Sequence, residues 1–134
     1  VTQDAISSLP ADFDTTKTYY LAGPMTGYTE YNYPHFAAVE AVLQAQGVKV
    51  ESPHNNLRPK GHEFMSEIVL WRKMMEAGED QMRRCQGIIM LKGWQNSHGA
   101  TQELHLALAL GWPIFYYRED LTVPPFMLVK ESSV

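Results

Sequence analysis

The sequence predicts an α/β domain with a mainly parallel sheet of four or five strands covered by helices on both faces. Three observations carry this. Short β-prone runs alternate with helix-length segments in the order β-α-β-α-β-α-β. GIIMLKG, 87–93, is continuously apolar, as a strand buried on both sides should be. The chain has 134 residues, 45% of them apolar, enough for one domain with a real core.

Each element has its own justification. Residues 1–16 are polar and aperiodic and read as an N-terminal arm, leaving 17–134 as one domain. KTYYLA, 17–22, is the first strand, ended by a Gly-Pro break. GPMTGYTEYNYP, 23–34, is a Gly- and Tyr-rich loop. The helix over 34–47 has Pro34 in its first turn, Gly47 at its end, and Phe36, Val39, Val42 and Leu43 as its apolar stripe. VKVESP, 48–53, is a second strand, followed by a loop to His62. A long helix runs from Glu63 to about Arg84 with Gly78 inside it, an unfavourable residue there. After the third strand, Ser97–Leu110 is a helix closed by Gly111, then WPIFYY, 112–117, is a strand. FMLV, near the end, is a last strand or an arm.

Composition excludes several functions. Net charge is −4 with no basic block, which argues against duplex nucleic acid. Apolar runs are too short to span a membrane, and the first residues have no signal-peptide pattern. Cys85 is the single cysteine, so no internal disulfide forms and a reduced, cytoplasmic setting is expected. His54, His62, His98 and His105 lack paired ligand spacing, so no metal is expected. No GxSxG elbow supports a serine triad.

Open parallel sheets place ligands beyond the C-terminal strand ends, where strand order reverses. In YLAGPMTG, 20–27, Gly23 and Gly27 allow sharp turns near a ligand, although an ordinary strand exit looks alike. In LKGWQNSHGATQELHLALALG, 91–111, Ser97 and the amides of Gly99 and Ala100 open a helix, a natural anion site; Ser97 as a simple N-cap is the alternative. Glu103 adjoins the sheet-facing Leu104, Ala107 and Leu110, so it either looks out at the strand ends or is buried at a cost. A solvated Glu favoured by the helix dipole is the competing reading. Tyr19, Tyr20, Tyr28, Tyr31 and Tyr33 crowd one region, and Trp94 follows the strongest strand; both suit packing or base stacking. Arg72, Lys73, Arg83 and Arg84 form a solvated helix face, and Cys85 is a small buried hydrophobe.

These two motifs together resemble the nucleoside 2-deoxyribosyltransferase-like superfamily, most of all a phage and bacterial domain of unknown function with YLAGPMTG and GWxxSxGAxxE segments. The likeness covers about 18–117 and implies a flavodoxin-like, Rossmann-like three-layer sandwich. It implies Glu103 as nucleophile on the anomeric carbon of a 2-deoxyribosyl group, with Tyr20 beside it, by the logic of retaining glycosidases. Gly23, Pro24, Met25, Gly27 and Trp94 would shape the pocket, and Ser97, His98, Gly99 and Ala100 would hold a 5′-phosphate. In the superfamily an acid in the preceding helix aids the departing base. Here its register falls near Gly78; Glu76, Glu79 and Asp80 lie close, and Asp80 is the candidate for that acid. The expectation is N-glycosidic cleavage or deoxyribosyl transfer on deoxyribonucleosides or their 5′-monophosphates. No cofactor is required, and homo-oligomers are expected, in the cytoplasm of a bacterium or of a phage's host. The alternatives are a nucleotide-binding protein of this fold without turnover, and a structural domain that binds no nucleotide.

Overall fold

The computed structural model describes residues 9–10, 13–56, 59–118 and 127–130. Five strands form one sheet: β1 (Thr18–Ala22), β2 (Lys49–Glu51), β3 (Gly87–Met90), β4 (Ile114–Arg118) and β5 (Met127–Val129). Three helices connect them: α1 (Tyr33–Ala45), α2 (Glu67–Met82) and α3 (His98–Ala109). The spatial order is β2-β1-β3-β4-β5. The first four strands are parallel, and β5 runs antiparallel beside β4. Among the described residues the expected mainly parallel sheet is therefore five-stranded, with Met127–Val129 supplying the last strand. Order reverses between β1 and β3, and that reversal sends α1 to one face and α2 with α3 to the other.

Period-two alternation assigns the strand side chains to those faces. Tyr19, Leu21, Ile89, Leu91, Phe115 and Tyr117 pack on Phe36, Val39 and Leu43 of α1. Tyr20, Ala22, Ile88 and Met90 pack on Met82, Ala100, Leu104 and Ala107 of α2 and α3. The α1 face is completed by Leu9 and Phe13 from the segment expected to be an arm. Phe13 stacks on Tyr19 at 4.8 Å and meets Phe115 at 4.9 Å between ring centroids.

Element boundaries moved where local chemistry intervenes. The expected start of α2 at Glu63 is a separate turn, His62–Phe64, after which Met65 is extended and Ser66 caps the helix by accepting from Val69 N–H. Through Gly78 the helix continues without a break. β3 stops at Met90, and Leu91 begins the turn leading to the short helical turn Trp94–Asn96. At the end of α3, Leu110 is exposed rather than sheet-facing, because the helix has already closed and Gly111 turns out with φ of 72°. No helix among the described residues is long and apolar enough to cross a membrane.

Candidate active site

Tyr20 lies on β1, an interior strand, paired with Ile88 of β3 and Glu51 of β2. Its ring points to the α2/α3 face and is 1% exposed. Glu103, one and a half turns into α3, comes down on it, and Tyr20 Oη donates to Glu103 Oε2 at 2.9 Å. Glu103 as a whole is 8% exposed. Of the two readings of Glu103, burial is the one observed. Burial pushes its pKa up to about 8, opposed by the Tyr20 hydrogen bond and reinforced by the negative charge of Glu79. Burial, and then the neighbouring Glu103, push the Tyr20 phenol well above its ordinary value. In the closed site burial thus favours the protonated carboxyl.

This closeness depends on α2 having no side chain at 78. A Cβ there would stand 2.8 Å from Tyr20 Oη and 2.9 Å from Glu103 Oε2. Gly78 is where the helper acid was expected, and the pair itself occupies the space. Asp80 does not replace it. Two residues on from Gly78, it is turned to solvent by the helical rotation and pairs with Arg83. Its expected catalytic role is corrected accordingly.

The loops at the ends of β1 and β3 meet over the strand-order reversal. Gly93, at φ of 90°, lies against Pro24 and Tyr28: an added Cβ would be 3.1 Å from the Pro24 ring and from Tyr28 Oη. Gly23 serves the core rather than a ligand, since a Cβ there would meet Leu91 Cβ at 3.0 Å and the Phe36 ring at 3.4 Å. Gly27, with φ of 87°, makes the expected turn. Glu30, Tyr31 and Asn32 are all left-handed, which is uncommon outside glycine, and Asn32 Nδ2 donates to Pro24 O at 3.0 Å. Trp94 packs against the α2/α3-face core, its ring 5.9 Å from that of Tyr116.

At the start of α3, Ser97 is an N-cap: its Oγ accepts from Ala100 N–H at 3.1 Å. The Ala100 amide, assigned to phosphate above, is used by the cap, and Ala100 is buried. The Ser97 hydroxyl proton and the amides of His98 and Gly99 remain as the donors of that assignment. The His98 ring stacks on Trp71 of α2 at 5.6 Å, and its Nε2 is 3.2 Å from Gln102 Nε2.

Met25 and Tyr33 line a small recess with Pro53, Asn56, Lys73 and Ala77. It holds about 70 Å³, room for about two waters. Its floor is fixed by contacts that spacing did not reveal. Gln81, 2% exposed, donates to Ser52 O at 2.8 Å and accepts from Asn56 Nδ2 at 2.8 Å. Ser52 Oγ is 2.7 Å from His54 Nδ1, and His54 Nε2 is 3.3 Å from Glu40. This is a Ser-His-Glu chain, but Ser52 is 0% exposed, so it fixes the loop and is no accessible nucleophile. The outward-pointing Arg84, joined to Glu51 at 3.0 Å, was expected as surface charge, and so it is. Among the described residues no group of three His, Cys, Asp or Glu is placed to hold a metal ion.

Residues 17–116 match the DUF4406 family, described as a domain of unknown function. The chain belongs to this family. Among solved structures, this DUF4406 chain is similar to a 2-deoxyribosyltransferase from the psychrotolerant bacterium Bacillus psychrosaccharolyticus. The identity is 21%, the overlap covers 74% of this chain and 70% of that one, and the TM-score is 0.53. The DUF4406 domain here therefore has a 2-deoxyribosyltransferase-like, flavodoxin-like fold. No curated protein matches the chain.

Proposed function

We propose that the protein cleaves or transfers the N-glycosidic bond of deoxyribonucleosides or their 5′-monophosphates. The observation that carries the reading is the buried Tyr20–Glu103 pair at the strand-order reversal of a fold shared with a 2-deoxyribosyltransferase. In this mechanism the Glu103 carboxylate, ionised once ligand and water reach it, bonds to C1′ as the C1′–N bond breaks; that bond's electron pair leaves with the base, which takes its proton from water. Water completes hydrolysis, or a second base completes transfer, by attacking C1′ and releasing the carboxylate. Water as the proton source suits a site where α2 offers glycine at 78. Tyr20 holds Oε2 and orients the attack. The Ser97 hydroxyl with the His98 and Gly99 amides is the proposed phosphate seat, and Met25, Pro24 and Trp94 border the ligand.

The second reading, a nucleotide-binding protein without turnover, is favoured by the same glycine, because no acid on α2 stands ready for the base. Incubation with a panel of deoxynucleosides and 5′-monophosphates, with free base read by chromatography, separates the two. Released base supports catalysis; intact ligand recovered from denatured protein, with no free base, supports binding alone. We also carry forward self-association, through exposed Leu106, Leu108 and Leu110 on α3, and sedimentation velocity of a Leu110→Glu variant tests it.

A further inference from the structure

The two helices above Tyr20 and Glu103 meet through glycines. Gly78 of α2 receives Glu103 of α3, and Gly99 of α3 receives Met75 of α2, where an added Cβ would stand 3.0 Å from Met75 Sδ. Each helix supplies the gap that the other's side chain fills. Glu103 Oε2 is consequently enclosed by Tyr20 below and the α2 backbone beside it.

Attachment of α2 is uneven along its length. The last turn is tied by Gln81 to Ser52 and Asn56, with Arg84 on Glu51 just beyond. The turns before it lie on α3 through Met75 in the Gly99 gap and Trp71 on the His98 ring. Phe64 and Ile68, at the N-terminal end, are 90% and 60% exposed. On the other flank of these turns is the recess bounded by Met25, Asn56, Lys73, Met74 and Ala77. Ala77 walls the recess and the next residue, Gly78, covers Glu103.

We infer that the first three turns of α2, from Glu67 to Gly78, are the cover of Glu103, that Gly78 and Gly99 are the positioning residues that let it close, and that ligand enters by lifting it. Lifting joins the recess to the carboxyl and lets water in. The groups facing Glu103 are then Tyr20 from β1 and Glu79 from α2, and the carboxyl ionises on exposure. The cover's use rests on the proposed reaction, but its existence is tested without it.

The experiment is thiol labelling of a Glu103→Cys variant, with native Cys85 as internal reference. Cys85 is buried at the tied end of α2 and its Sγ donates to Gln81 O at 3.3 Å. The introduced thiol is expected to label at least tenfold faster than Cys85, with a shallower urea dependence, because it needs only partial opening. Adding Gly78→Ala is expected to speed it about tenfold more and leave Cys85 unchanged. Equal rates and equal urea slopes for both thiols would overturn the cover. Amide exchange of the wild-type protein gives the same answer without a variant. Fast, denaturant-insensitive exchange in 67–78 relative to β1 and β3 supports the cover, and uniform protection removes it. Base release enters neither readout, so a protein that opens but never turns over ends the catalytic reading and leaves the cover standing.

Discussion

Tyr19 and Tyr20 are neighbours of one residue type on one strand, and they do opposite work. Tyr19 faces α1, stacks on Phe13, and donates to Asp14 O at 3.0 Å. Its surroundings are a closed apolar layer that any large ring could fill. Tyr20 faces α2 and α3 and gives its only hydroxyl to a carboxyl that is costly to bury. One face of the sheet is therefore built for stability, whereas the other carries a group that is costly to bury and that the proposed reaction uses. The alternation of a strand is enough to separate the two roles.

The largest expected break in this contrast is Glu103→Ala, which should lower base release on the order of 10³-fold or more while circular dichroism stays native. Tyr19→Phe should leave release unchanged; equal losses from both would make the pair irrelevant to the chemistry. Tyr20→Phe is next, with a fall of roughly 10- to 100-fold in kcat and little change in KM, since it orients the nucleophile rather than the substrate.

Stability against pH sharpens the same contrast. The folded state keeps a proton on Glu103 up to about pH 8. The unfolded chain releases it near pH 4.5. Between those values the unfolded chain binds fewer protons, so wild-type stability should fall as pH rises and level off above about 8. Glu103→Gln should remove that slope and gain on the order of a few kcal/mol at pH 8, read by urea melts at both ends of the window. A variant with the wild-type slope would show that another group titrates. On the opposite face, Phe13→Ala should cost about 2 kcal/mol with no change in that pH slope. The smallest effect is Ser97→Ala: about 1 kcal/mol from the lost cap, with a raised KM for 5′-monophosphates and an unchanged KM for nucleosides.

Much of the fold was legible because it follows local rules. The alternating elements, the apolar run at β3, and the Gly111 stop are properties of short segments. The site was legible only through two motifs read together, since nothing in the spacing of Tyr20 and Glu103 says that they touch. What escaped depends on helix rotation and on a neighbour's surface. Asp80 is two residues from Gly78, enough to turn it from the seam to solvent. Gly78 looked like a weak point in a helix, yet it is where α3 inserts a carboxyl. The chain Ser52–His54–Glu40 joins a strand end to α1, and its members carry no shared spacing signal. Likewise, Phe13 belongs to the core because one helix leaves part of its face bare, which no reading of residues 1–16 alone can show.

The left-handed run Glu30–Asn32 has a consequence for selectivity. By bending sharply enough to bring the Asn32 amide back to Pro24 O, it closes the β1 loop into a ring with its own internal clasp. Such a rim arrives already shaped, so little ordering entropy is lost when a ligand docks against it. It also has little capacity to remould itself around a larger guest. For the proposed reaction, tolerance for different bases would then come from the opposite wall, and a library aimed at widening substrate range belongs on the α2 turns before Gly78, not on the tyrosine-rich loop.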